Sequence, residues 1–192
     1  MARQRDEEKR RAILQAAASV IAEQGLGAPT AKIAQVAGVA DGTLFVYFST
    51  KADLFNQLYL AIKEELITAV LDAFPAKGNL KARLFHIWRE RTNWGVAQPA
   101  KRRALAQLSV SDLVTEDSRK AGVDSAAEVL AVISSASARG PLKTAPASFI
   151  GALFEAMAAT TMDFMASEPD RAQFYCSMGF AAAWSSLTGK SE

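Results

Sequence analysis

The stretch Thr30-Ala31-Lys32-Ile33-Ala34-Gln35-Val36-Ala37-Gly38-Val39-Ala40-Asp41-Gly42-Thr43-Leu44-Phe45-Val46-Tyr47-Phe48 decides the fold. Its small and apolar residues fall where two short helices must cross closely around a tight turn, and Gly38 permits that turn. Pro29 and Thr30 offer a helix start, because proline tolerates the first turn and a threonine hydroxyl there can accept from a free backbone N–H. The first short helix is expected to run to about Ala37 and to stop at Gly38. Val39 and Ala40 then bridge to a second, beginning near Asp41, whose charge suits a helix N-terminus, and closing at Phe48. Two helices so related form a helix-turn-helix, with the second projecting outward and the first bracing it.

Upstream, Ile13, Leu14, Ala17, Ala18 and Ile21 recur at helical spacing between Asp6 and Gln24, with Gly25 and Gly27 as the stop. Downstream, Thr50-Lys51-Ala52-Asp53 resembles a capping box, in which the threonine and the acidic residue satisfy free N–H groups. Leu54, Leu58, Ile62, Leu66, Ala69 and Ala73 carry one apolar stripe from there, so a long connecting helix is expected from Lys51 to Phe74, ahead of Pro75. Helical patterns continue over 80–96, 102–113, 117–137, 147–166 and 170–187, punctuated by Pro99, Gly140-Pro141, Pro146 and Pro169. Nothing alternates with the period of two that half-buried strands need, so the fold is expected to be all-α with about nine helices. The boundary falls near Lys51: an N-terminal three-helix helix-turn-helix domain over 1–50, then a larger helical domain over 51–192.

Composition narrows the function. A chain of 192 residues, half of them hydrophobic, can bury a core. With 22 Lys and Arg against 20 Asp and Glu, no global field announces a nucleic-acid partner. Residues 1–55 carry seven basic and six acidic side chains, so any contact with a polyanion must rest on local geometry. Cys176 and His86 are the single cysteine and histidine, which excludes an internal disulfide and a cysteine-rich zinc site. Cys176 reads as a small buried hydrophobe. There is no G-x-S-x-G elbow, no phosphate-binding glycine loop and no H-E-x-x-H, so no enzyme and no cofactor is expected. The charged N-terminus has no apolar region behind it, and no run approaches the roughly 18 to 20 apolar residues of a membrane span. A cytoplasmic protein without membrane contact is expected.

The run Ile33-Ala34, Ala37-Gly38-Val39, Gly42-Thr43-Leu44-Phe45, Tyr47-Phe48 and Lys51-Ala52-Asp53-Leu54 resembles the DNA-binding signature of the TetR family, I-A-x-x-A-G-V-S-x-G-T-L-Y-x-Y-F-x-x-K-x-x-L. The match is strong over about residues 8–55, and the rest agrees in length and helical layout. Two positions depart from the pattern. Ala40 replaces the usual serine, which removes a side-chain cap worth about 0.5 to 2 kcal/mol unless Asp41 takes over. Phe45 replaces a tyrosine and so lacks a hydroxyl that could reach a phosphate.

The resemblance implies a DNA-binding homodimer. Leu44 and Phe48 should face inward, with Thr43, Phe45, Val46 and Tyr47 turned toward DNA. Phe45 and Val46 can touch thymine methyl groups, Thr43 and Tyr47 can donate to phosphate or base edges, and Lys32 and Lys51 can neutralise phosphates. Thr30 is a further phosphate candidate at a helix start. Arg3, Arg5 and Lys9-Arg10-Arg11 form either an arm near the DNA backbone or minor groove or a solvated charged segment.

The same resemblance assigns the C-terminal helices an effector pocket and a dimer interface. Phe85, Trp88 and Trp94, with Phe154, Met157, Met162, Phe164 and Met165, could line an adaptable cavity for a small hydrophobic effector, or could be packed core. His86 and Glu155 are polar anchor candidates, and Lys101-Arg102-Arg103 reads as a solvated helix start. The last two helical stretches are rich in Ala, Gly and Ser, which suits close packing between subunits. The implied function is a ligand-responsive repressor on a near-palindromic double-stranded DNA operator, its two reading helices about 34 to 36 Å apart. The alternative is a helical small-molecule binding or interaction protein with weakened DNA readout.

Overall fold

The computed structural model describes the backbone of residues 2–189 and the side chains of residues 4–189. Among these it contains ten α-helices and no strand: α1 (Ala2–Gln24), α2 (Thr30–Val36), α3 (Asp41–Tyr47), α4 (Lys51–Leu71), α5 (Leu80–Ala97), α6 (Pro99–Ser109), α7 (Glu116–Asp124), α8 (Ala127–Ser137), α9 (Ala147–Ser167) and α10 (Ala172–Thr188), with a short 3-10 turn at Pro169–Arg171. The all-α expectation holds. The count exceeds nine because the stretch 117–137 is two helices, interrupted at Ser125-Ala126, where Ala126 leaves helical geometry with φ −96° and ψ 9°. Asp124 and Ser125 stand just before that break, and their short polar side chains favour turns over helix interiors. The long connecting helix also stops early, at Leu71. Ala73 sits in left-handed geometry (φ 50°), and Pro75 disfavours helical backbone at Phe74.

The chain divides into two compact units, Met1–Glu64 with Gln98–Asp124, and Glu65–Ala97 with Ser125–Glu192. It passes from one to the other three times: within α4, between Ala97 and Gln98, and between Asp124 and Ser125.

In the first unit α1 packs on α2 and α6, and α2 on α3. The core holds Ile13, Ala17, Ile21, Ile33, Leu44, Phe48, Leu54 and Phe55, all inaccessible to solvent. Helix α6 is joined to the end of α1 by Gln107, whose Nε2 donates to the Ile21 carbonyl at 3.0 Å. Helix α7 is fixed from two sides. The Asn56 amide donates to the Leu113 carbonyl and accepts from the Thr115 N–H and hydroxyl. Arg119 donates to the carbonyls of Ser109 and Ser111. Gly122 then lets α7 approach Tyr59, whose ring would lie 2.8 Å from any Cβ placed there.

The second unit is built on α5, which packs against α8, α9 and α10. Trp88 is fully buried, meets Phe154 edge-to-face at 5.2 Å and donates its indole N–H to the Cys176 carbonyl at 2.9 Å. Gly179 brings α10 close enough that a Cβ would lie 2.8 Å from the Trp88 ring. By length and composition α9 is apolar enough to cross a membrane. It is nevertheless packed against α5, α8 and α10 along one face and carries Glu155 in an ion pair with Arg91.

Candidate nucleic-acid interface

The turn before α3 is set by backbone chemistry. Helix α2 ends on Ala37, Gly38 takes left-handed geometry (φ 68°), and two hydrogen bonds close back: Gly38 N–H to the Gln35 carbonyl (3.2 Å) and Val39 N–H to the Ala34 carbonyl (3.0 Å). This double closure is the Schellman arrangement, which satisfies carbonyls the helix end leaves open and requires a residue tolerant of positive φ. The chain therefore reverses in three residues and re-enters a helix at Asp41.

Helix α3 is seven residues long and divides by face. Leu44 and the following Phe48 are 0% exposed, while Phe45 is 43% and Val46 80% exposed. Thr43 and Tyr47 are half-buried, and Asp41 and Gly42 are exposed. Ala40 occupies the cap position in extended geometry with no side-chain cap bond, so the serine-to-alanine departure is not made good by Asp41, which is the first helical residue. At α2 the extended cap residue is Pro29 (φ −66°, ψ 143°), again without a side-chain bond. Thr30 thus begins the helix instead of capping it, because proline's fixed φ already supplies the cap geometry.

The capping box at α4 is formed. The Asp53 N–H donates to the Thr50 hydroxyl at 3.0 Å, and the Asp53 carboxylate accepts from the Ser49 N–H at 2.8 Å. A hydrogen bond from Gln57, with those from Ser49 and the charge of Arg10, holds the Asp53 carboxyl below its ordinary range against the opposing effect of burial.

Two basic residues expected near phosphate have internal partners. The Lys51 ammonium donates to the Ala28 carbonyl at 2.8 Å and stands over the Phe55 ring at 5.4 Å. Arg10 donates to Gln57 at 2.6 Å and stands over Phe48 at 5.8 Å. Lys32 donates to Gln35 at 3.2 Å, one turn along α2. The N-terminal charged run is helical from Ala2, with the side chain of Arg3 outside the described residues. The Tyr47 hydroxyl donates to Asp6 on α1 at 3.1 Å. Partial burial, with the Asp6 carboxylate accepting the phenol's hydrogen, raises Tyr47 above its ordinary value. No sequence signal singled out Asp6, which lies 41 residues before its partner.

In the second unit, Trp88, Trp94, Phe154 and Met162 are buried, and Phe85 and Met157 half-buried. Phe85 meets Phe180 at 4.9 Å, and Trp94 donates to Glu65 at 3.2 Å. Glu155 is paired with Arg91 at 2.7 Å; the Arg91 side chain is 9% exposed and that of Glu155 52%. Arg91 also reaches the Met162 sulfur at 3.3 Å. His86 lies 3.1 Å from the Val70 carbonyl and edge-on to Phe74, inside the unit. Met157 belongs to a different place, an open apolar groove of about 470 Å³ between α9 and α10, shared with Phe164, Tyr175, Met178 and Gly179. The basic cluster at α6 is less solvated than expected, since Lys101 and Arg102 are half-buried and Arg103 alone is exposed.

A short helix, anchored inward by Leu44 and Phe48 and bared at Phe45 and Val46, defines a helix-turn-helix head. Residues 13–58 match the family described as bacterial regulatory proteins, tetR family. The chain is 47% identical over 66 residues to the uncharacterized HTH-type transcriptional regulator YvdT of Bacillus subtilis, and 37% identical over 73 residues to the fatty acid metabolism regulator protein of the same organism. These alignments span 34% and 38% of this chain, and only 32% and 38% of those relatives' own lengths. A solved structure from Shewanella sp. PV-4, assigned to the tetR family of transcription regulators, is similar over 93% of this chain and 97% of its own, with a TM-score of 0.81 and 29% identity. Residues 13–58 thus resemble the DNA-binding region of the tetR family, and the chain as a whole shares its fold with the Shewanella protein.

Proposed function

We propose that this protein is a ligand-responsive transcriptional repressor that acts in the cytoplasm, binding a near-palindromic double-stranded DNA operator as a homodimer. Residues 1–50 read DNA, and residues 51–192 dimerise and take a small hydrophobic effector whose binding releases the operator. The observation that carries this reading is the exposure of Phe45 and Val46 on a helix whose other face is wholly buried. Apolar side chains so placed suit thymine methyl groups in the major groove. Thr43, Thr30, Lys32 and Lys51 then serve the backbone, as does Tyr47 where Asp6 releases its hydroxyl, and Lys51 retains two further N–H donors beside the one given to Ala28.

The α9–α10 groove, lined in part by exposed Phe164 and Met178, supports the dimer: an apolar face of this kind is covered by a second copy in a two-fold four-helix contact. Trp88, Trp94, Phe154 and Met162 are packed core, so an effector lined by them enters by opening that core, with Phe85 at its edge; Met157 lies instead in the α9–α10 groove. Such a ligand shifts the head only by favouring one arrangement of the body over another. The commitment of Lys51 and Arg10 to internal partners favours a second reading, a helical binding or interaction protein with weakened DNA readout.

Selection of duplexes from a random library, followed by shift assays against the selected sequence and the promoter adjoining the protein's own coding sequence, separates the two. The repressor reading expects salt-sensitive specific binding, with about fourfold loss for each contacted thymine replaced by deoxyuridine, the value of one buried methyl. No specific binding at moderate salt favours the second reading.

A further inference from the structure

Among the described residues of α3, Tyr47 is the one whose side chain hydrogen-bonds to another helix, and its partner is a carboxylate. A phenol has one hydrogen to give. While it is given to Asp6 it is withheld from any phosphate, and an ionised carboxylate has no hydrogen of its own to offer in exchange. A phosphate drawn to Tyr47 therefore approaches a like charge within a few ångströms. The nearest inward-facing cation on α1, Arg10, one turn after Asp6, directs its guanidinium to Gln57 and the Phe48 ring instead of to Asp6.

We infer that Asp6 is a brake on DNA binding: it holds the Tyr47 hydroxyl on the protein and repels the backbone phosphate that this hydroxyl would otherwise receive. The inference rests on the DNA-binding reading of the head and adds a residue outside its signature motif. Asp6 is thus a positioning residue that lowers affinity for every sequence alike, since phosphate contacts are blind to the bases. Such a brake leaves discrimination to Phe45 and Val46, and keeps the protein from dwelling on unrelated DNA.

The test measures dissociation constants of the full-length protein for a selected operator duplex and for a random-sequence duplex. The variants are D6N, D6E, Y47F, the D6N/Y47F pair, and E8Q with the E8Q/Y47F pair as controls for charge alone; Glu8 is exposed and takes a hydrogen bond from Gln4 on the same helix. Thermal midpoints confirm that each variant is folded. D6N is expected to bind both duplexes about fivefold more tightly at low salt, the size of one surface like-charge contact removed, and the gain should shrink as salt is raised. D6E should keep wild-type affinity. Y47F should cost less than about twofold in the wild-type background but about fivefold beside D6N, because a neutral amide oxygen holds the phenol hydrogen more weakly than a carboxylate does and yields it to phosphate. In E8Q the Y47F cost should stay at its wild-type value.

Equal or weaker binding by D6N, or a Y47F cost that is the same with and without Asp6, overturns the brake while leaving the DNA-binding reading intact. Failure of both the wild type and D6N to bind either duplex overturns that reading and the brake together.

Discussion

The two compact units each bring a helix to an end in left-handed geometry, and they do so with different residues. In the first unit the position is Gly38, at φ 68°, with two backbone hydrogen bonds closing around it. In the second, α10 also ends on a glycine, Gly189 at φ 70°, but past the end of α4 the left-handed residue is Ala73, at φ 50°. An L-residue pays about 1–2 kcal/mol for this conformation and glycine does not. At Gly38, where the turn sets the direction of α3, the sequence supplies the unstrained residue; at Ala73, which leads into a loop, strain is tolerated. The head is specified by turn and cap chemistry, whereas the body is specified by the fit of large side chains around Trp88.

That contrast can be broken at several points. Trp88→Ala should have the largest effect, about 3–5 kcal/mol of stability, because a fully buried ring, its Phe154 contact and its bond to the Cys176 carbonyl all go. Segment-resolved hydrogen exchange should show the loss in α5, α9 and α10; equal loss of protection in α2 and α3 would mean that body packing also specifies the head.

The Arg91–Glu155 pair comes next, and its two halves should not be equivalent. Glu155→Gln leaves a buried guanidinium without its anion and should cost about 2 kcal/mol, whereas Arg91→Met releases a half-exposed carboxylate to water and should cost less than about 1. Chemical denaturation of both variants checks the order, and a reversed order would show that the pair is held for Glu155.

Gly38→Ala should cost about 1 kcal/mol by backbone strain alone, since nothing lies within 4 Å of the added Cβ. Its operator affinity should fall further than its stability, as measured by shift assay beside thermal unfolding. Smallest is Ala73→Gly, expected to stabilise by about 0.5 kcal/mol once the freer unfolded chain is set against the relieved strain. A loss of stability there would show that Ala73 is not strained.

These differences also decide what could be read from the chain alone. Gly38, the Thr50–Asp53 cap and the inward Leu44 and Phe48 were legible because each acts within a few residues of itself. The grouping of Gln98–Asp124 with the N-terminal helices was not, because it depends on Gln107 meeting Ile21 and Asn56 meeting Leu113 and Thr115 across long sequence separations. Lys51 carried a faint clue, since a cation in the first turn of a helix opposes the dipole and calls for a compensating partner, here the Ala28 carbonyl. Arg91 carried none: only the fold places Glu155 and Met162, on another helix, beside it.

The division of α3 into sealed and bared positions has an evolutionary corollary. Phe45 and Val46 can be exchanged without disturbing what Leu44 and Phe48 hold together. On the proposed DNA-reading role of α3, changes at these two codons after gene duplication would redirect one copy to new promoters while its scaffold stays intact.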